Sequence, residues 1–193
     1  STYMFPPGGN TRERNRGRGI FMGGYVPGSY TRSIDTIEIQ STGNAIDFGD
    51  TGSTSVGEGA PCSSSTRAIL GGGSLVNTME FVTIANRSNT TNFGDLTVSR
   101  RSLNSLSSDT RGIWAGGTTN PAMSDVIDFA TIATLGDATD FGNLTVGRRN
   151  MAPMTSPTRG VFAGGNPGSS PLLDDTIDYI TIASAGNATD FGN

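Results

Sequence analysis

The chain has 193 residues, 28 of them Gly, and a formal net charge of −4 from 13 basic and 17 acidic side chains. That length suits one domain with a substantial core. The scarcity of strong helix formers argues against a bundle, and the negative balance argues against nucleic acid as a partner. Cys62 is the only cysteine, which excludes an internal disulfide and a thiolate metal cluster. No run of about 18 apolar residues exists for a membrane-spanning helix, so no membrane insertion is expected. The first residues also lack the basic, apolar and small-residue order of a secretion signal.

In chain order, Arg12, Arg14, Arg16 and Arg18 form a basic run that reads as a solvated loop. At its end begins Arg18-Gly19-Ile20-Phe21-Met22-Gly23-Gly24, a short β-former run closed by a Gly pair, where a backbone without Cβ can turn sharply. The same block recurs at Arg67, Arg111 and Arg159, with spacings of 49, 44 and 48 residues. It predicts an inner strand of a small sheet. After each Gly pair comes a second block, starting at Ile34-Asp35, Met79-Glu80, Ile127-Asp128 and Ile177-Asp178, with β-formers in near alternation. A turn carrying Gly or Asn follows, and then the third block, centred on Phe48, Phe93, Phe141 and Phe191, each followed by Gly. A hairpin is predicted there. The strand is expected to run on into Leu96-Thr97-Val98 or Leu144-Thr145-Val146, with Arg100-Arg101 and Arg148-Arg149 as exposed corners. A weaker fourth strand, as in the segment 150–155, precedes the next Arg block; its Pro153 suggests an edge.

The period is about 48 residues, in the range of propeller blades. A four-stranded sheet cannot bury both faces alone, so neighbouring repeats must stack on one another. The predicted fold is therefore all-β: one domain over residues 1–193, a four-bladed propeller with repeats at approximately 1–49, 50–94, 95–142 and 143–193. Residues 2–5 are expected to supply a strand that closes the ring against the C-terminal strand.

The Gly pair followed by alternating strands at this period resembles the kelch repeat; Ile182 and Phe191 stand where that repeat has its Tyr and Trp. More specifically, the runs 177–192, 144–149 and 158–165 resemble repeats of structural proteins of marine, especially cyanobacterial, bacteriophages. That resemblance covers nearly the whole chain after Arg18. It implies a virion or extracellular location, a tail-appendage or host-recognition role, and other virion proteins as partners. It brings no catalytic residue.

The Asp-Phe-Gly triplets lack the catalytic-loop signature and nucleotide Lys of a kinase and read as strand-packing devices. The recurring Asp35, Glu80, Asp128 and Asp178 face the recurring Arg18, Arg67, Arg111 and Arg159 in the sequence pattern. A group needed once at an active site has no reason to recur in every repeat, so structural ion pairs and backbone hydrogen bonds are expected. His and Lys are both absent, which removes the commonest general base, metal ligand and Schiff-base nucleophile. No enzyme, metal or cofactor is expected. A carboxylate-only polysaccharide hydrolase ranks third among the readings. Asp174 and Asp175 form the best nonrepeating carboxylate pair, with oxygen donors for Ca²⁺, and read first as a solvated loop.

Recognition should reside where the repeats differ, in the connection between the Gly pair and the Ile-Asp block. There Tyr25, Tyr30, Arg32 and Asn120 offer flat faces and hydrogen bonds to a host surface glycan or protein. The rival reading is a purely structural spacer in a larger particle, and a homo-oligomer is compatible with either.

Overall fold

The structure is a computed structural model that describes residues 17–53, 57–169 and 173–193. The described chain is all-β, with antiparallel strands in four sheets and no helix among the described residues. The first sheet holds β1 (Arg18–Val26), β2 (Ser29–Glu38) and β3 (Ile46–Asp50) in that order. The second holds β4 (Ala60–Ser63), β5 (Arg67–Gly71), β6 (Thr78–Thr83) and β7 (Thr91–Asp95). The third runs β8 (Asn104–Ser107), β9 (Arg111–Ala115), β10 (Val126–Thr131) and β11 (Thr139–Asn143). The fourth runs β12 (Ala152–Thr155), β13 (Arg159–Ala163), β14 (Ile177–Thr181) and β15 (Thr189–Gly192). Each sheet is thus one sequence repeat, hydrogen-bonded in chain order.

In the first sheet β1 is itself an edge among the described strands. In the second, third and fourth the Arg block lies inside the sheet, as its pattern predicts, and the weak strands β4, β8 and β12 lie at the edge. Those edge strands approach one another, β4 against β8 and β8 against β12. Hydroxyls stitch them together: Ser105 Oγ donates to the Pro61 carbonyl, Ser107 Oγ to the Ser63 carbonyl, both at 2.7 Å. An edge strand satisfied in this way needs no backbone ladder on that side.

The Phe-Gly block is a β-bulge in all four repeats. In the third sheet Ile127 pairs with Gly142 and Asp128 with Asp140, so Phe141 is the extra residue; Phe48, Phe93 and Phe191 are skipped in the same way. The glycine that follows has a reason of its own. Gly94 sits at φ 148°, and a Cβ there would lie 2.3 Å from the Gly136 carbonyl oxygen of the next sheet. Only a residue without Cβ lets two repeats come that close.

No repeat has a private core. Ile34 and Phe48 of the first sheet cluster with Ala68, Val82 and Ile84 of the second. Cys62, Ile69 and Phe93 of the second cluster with Trp114, Ala130 and Ile132 of the third. Ile113, Ile127 and Phe141 of the third cluster with Phe162, Ile180 and Ile182 of the fourth. The hydrophobic core is three joints between sheets, the arrangement in which each repeat is stabilised by its neighbours.

Two expectations need correction. Arg100 and Arg148 are not exposed corners but wholly buried, for the reason given below. The third-block strands end at Asp95 and Asn143, because Leu96 and Leu144 turn inward and are buried in the joints. The closing strand placed at residues 2–5 lies outside the described residues, and the first sheet has three strands among those described. Among the described residues no backbone hydrogen bond joins the fourth sheet to the first.

Candidate functional site

Antiparallel pairing gives every sheet two unlike ends. One carries the tight turns 63–66, 107–110 and 155–158; the other carries the variable connections that follow the Gly pairs, together with the linkers between sheets. The variable connections therefore share one rim, as rigid scaffolds commonly present recognition loops.

That rim is fastened by an arrangement the sequence reading assigned to the wrong arginines. Arg111 was expected to meet Asp128, yet the register pairs Arg111 with Thr131 and Asp128 with Trp114. The two positions are three residues apart along the strand, about 10 Å, and on opposite faces. Asp128 is met instead by Arg100 of the preceding linker, with Nη2 to Oδ2 at 2.7 Å and both side chains fully buried. Arg148 meets Asp178 in the same way at 3.0 Å. Arg100 also donates to the backbone carbonyls of Trp114, Gly116 and Val126, and Thr97 Oγ1 donates to Asp128. Burial pulls the Arg100 pKa down, and Asp128 opposes that pull. A dry ion pair persists only when its remaining donors and acceptors are satisfied, and these largely are. The Arg100 Nε is the exception.

The second sheet solves the same problem without a cation. Glu80 accepts from the Gly52 and Ser53 N–H groups at 2.9 and 2.7 Å and from Thr90 Oγ1 at 2.6 Å. The linker before it offers no Arg at that place, and the extra methylene of Glu reaches backbone donors instead. Asp35, the first-sheet counterpart, is exposed.

The repeated arginines take another role. Arg67, Arg111 and Arg159 lie over Phe81, Phe129 and Tyr179, with 4.9, 4.7 and 4.4 Å to the ring centroids. Each ring meets the bulge Phe of its own repeat edge-on. Arg18, Arg67 and Arg111 then reach across a joint to the Ile84, Ile132 and Ile182 carbonyls at 2.5, 2.9 and 2.8 Å. Arg18 has Thr36 where the others have an aromatic ring, and pairs with Glu38 at 3.5 Å.

The proposed recognition residues lie at the variable rim, Tyr25, Tyr30 and Arg32 on the first hairpin and Asn120 on the third repeat's connection. Tyr25 pairs with Tyr30 through the backbone at the tip of the first hairpin; the Tyr25 side chain lies outside the described residues. Tyr30 is partly buried, packing so closely on Gly57 of the second sheet that a Cβ on that glycine would overlap its ring. Arg32 is exposed, and its Nε donates to the Thr51 carbonyl at 2.7 Å. Asn120 is exposed on the third repeat's connection, in a turn closed by the Thr118–Met123 bridge and a cis Asn120–Pro121 bond. Met123 of that connection touches Gly168 of the next, so adjacent loops are in contact. Asp174 is spent locally: its Oδ1 accepts the Thr176 N–H at 2.8 Å, and the Thr176 side chain first, with that N–H second, holds its pKa below the ordinary value. Among the described residues no group of three or more His, Cys, Asp and Glu could hold a metal.

The opposite end holds a feature that the sequence reading missed. The turns 63–66, 107–110 and 155–158 converge with Arg18 on an open polar cavity of about 430 Å³. Its serines are mostly engaged: Ser108 Oγ accepts the Thr110 and Arg111 N–H groups, and Ser156 Oγ those of Thr158 and Arg159. The recurring Ser-x-Thr-Arg spacing of these turns was the available signal, and it marks the turn itself rather than a ligand. No protein-family model matches the sequence, and comparison with curated proteins finds no match.

Proposed function

We propose that the chain is a non-catalytic, kelch-like β-propeller module of a bacteriophage virion or tail appendage. Its rim of variable loops recognises a host surface glycan or protein. The observation that carries this reading is the division of labour between the two parts of each repeat. The joints repeat the same contacts three times, whereas the connections on one rim differ in length and sequence from repeat to repeat. Selection for packing explains the first, and a surface specialised for a partner explains the second. The repeated carboxylates support the non-catalytic part, since Glu80, Asp128 and Asp178 are buried and committed to partners within the protein. A polysaccharide hydrolase would need two of them free to face a glycosidic bond.

A structural spacer is the second reading, favoured by the large apolar side chains left exposed on the two terminal sheets. A glycan array and lipopolysaccharides from a panel of marine cyanobacteria separate the two. The recognition reading expects saturable binding that is weakened at least tenfold when residues 118–125 are replaced by the short 74–78 connection, with the circular dichroism spectrum retained. Binding unchanged by that exchange, or no binding to any member of either panel, overturns it.

A further inference from the structure

We infer that the outer faces of the first and fourth sheets are the two halves of one more joint, and that a second copy of this chain, docked head to tail, completes it. The inference starts from what the three internal joints have in common. Each has a donating face, made of a bulge Phe, its Gly and the repeat Arg, to which Cys62 and Leu106 add an edge-strand apolar residue in the second and third joints. Each also has a receiving face, made of an aromatic or Leu in the Arg block, the Ile carbonyl and a Gly/Asn turn.

The backbone and side-chain contacts are the same each time. Asp50, Asp95 and Asn143 donate their N–H groups to the side chains of Asn89, Asp137 and Asn187 at 2.9 to 3.1 Å. Their carbonyls accept from Thr90, Ala138 and Ala188 at 2.8 to 2.9 Å. The receiving Trp114 settles against Cys62 and Gly71 and donates Nε1 to the Ala60 carbonyl at 3.0 Å.

The fourth sheet carries a whole donating face with nothing seated on it among the described residues. Met154 and Phe191 are 60% and 56% exposed, whereas their counterparts Cys62, Leu106, Phe48, Phe93 and Phe141 are at most 7% exposed. A Cβ on Gly192 would meet nothing within 4 Å, although one on Gly49, Gly94 or Gly142 would strike the next turn's backbone. Arg159 lies over Tyr179, and Asn193 stands where Asn143 does in its own joint.

The first sheet carries the matching receiving face. Phe21 and Ile39 are 57% and 59% exposed, whereas Leu70, Trp114, Phe162, Ile84, Ile132 and Ile182 are at most 5% exposed. Asn44 and Ala45 stand in the places of Asn187 and Ala188. The chain does not seat its own two faces on each other, since both are exposed in the same molecule. A second copy brings to each face the partner that the internal joints show it fits. The contact is heterologous, so copies add in one direction and end either as a ring or as a filament.

The test is sedimentation of the 193-residue chain and two variants, Phe191→Glu on the donating face and Phe21→Glu on the receiving face. The wild type should associate with rising concentration, while each variant alone should sediment as single chains with an unchanged melting temperature. An equimolar mixture of the two should give a two-chain species and nothing larger, because only one intact face of each kind remains. Ile39→Glu and Met154→Glu repeat the pair should either first variant melt early. A wild type that stays a single chain into the millimolar range overturns the inference. So does assembly that survives both substitutions, a mixture that stays single, or pairing of one variant with itself.

Discussion

The internal joints and the terminal faces use the same residues in the same local structure, yet bury them to opposite degrees. Phe141 and Phe191 are both bulge residues, both set edge-on to an aromatic ring at 5.8 and 5.9 Å, and both followed by a glycine at positive φ. Only Phe141 is covered, because the fourth repeat packs over it, whereas among the described residues no other sheet packs over Phe191. Intrinsic strand structure is thus the same in the third and fourth repeats, and burial is supplied by the neighbour. The hydrophobic contribution to stability, about 25 cal/mol per Å² of apolar surface removed from water, belongs to joints and not to sheets.

The largest effect that would sharpen this contrast comes from breaking the buried clasp. Asp128→Ala strands the Arg100 guanidinium in a site with no access to water, and should cost about 3 to 5 kcal/mol. Replacing both partners, Arg100→Met with Asp128→Leu, should restore much of that, since no uncompensated charge is left behind. Asp35→Ala at the exposed end should leave the melting temperature within error of wild type. Denaturant titration of the four proteins measures this directly; equal losses at Asp128 and Asp35 would mean that the clasp does not hold the joint.

The second effect separates Phe141 from Phe191. Phe141→Ala opens a cavity between two sheets and should cost about 3 to 5 kcal/mol. Phe191→Ala, measured where the chain is dilute, should cost less than about 1 kcal/mol, in the range of surface changes. Cys62 offers an independent readout for the joint between the second and third sheets. Its thiol is buried and its pKa pushed up by burial, so alkylation should report opening of that joint rather than surface exposure.

Much of this architecture is legible in the sequence because a repeat announces itself four times. The Arg, Ile-Asp and Phe-Gly blocks mark three strands of each sheet, and their spacing marks the sheet boundaries. What was not legible is how the blocks combine in space. Arg111 and Asp128 are prominent in every alignment of the repeats, but strand register separates them, and no composition argument reveals register. Arg100 looked like an exposed corner because a doublet of arginines after a strand usually is one. The signal lay in the correlation between repeats: the two with Thr-Val-x-Arg-Arg before them carry Asp128 and Asp178, whereas of the two without it the second carries Glu80 and the first the exposed Asp35. Of the expected loop residues, Asn120 lies in a loop, whereas Tyr30 and Arg32 lie on β2, because the first connection is a tight hairpin; their contacts, such as Arg32 with Thr51, depend on neighbours that the sequence does not reveal.

The smallest effect tests the role that the repeated arginines have in place of ion pairing. Arg111 combines a ring contact with Phe129 and a hydrogen bond across a joint to the Ile182 carbonyl. Together these should make Arg111→Ala cost about 1 to 2 kcal/mol, the ring contact contributing about 0.5 to 1 of it and the hydrogen bond the rest. Arg159 keeps the ring contact with Tyr179 but has no hydrogen bond across a joint among the described residues, so Arg159→Ala should lower the melting temperature by less. Arg111→Lys keeps the charge while losing the flat guanidinium that spans ring and carbonyl together, and should fall near the alanine variant. A lysine variant as stable as wild type would show that charge alone suffices, and the arginine-only basic composition of this chain would then need a cause outside its joints.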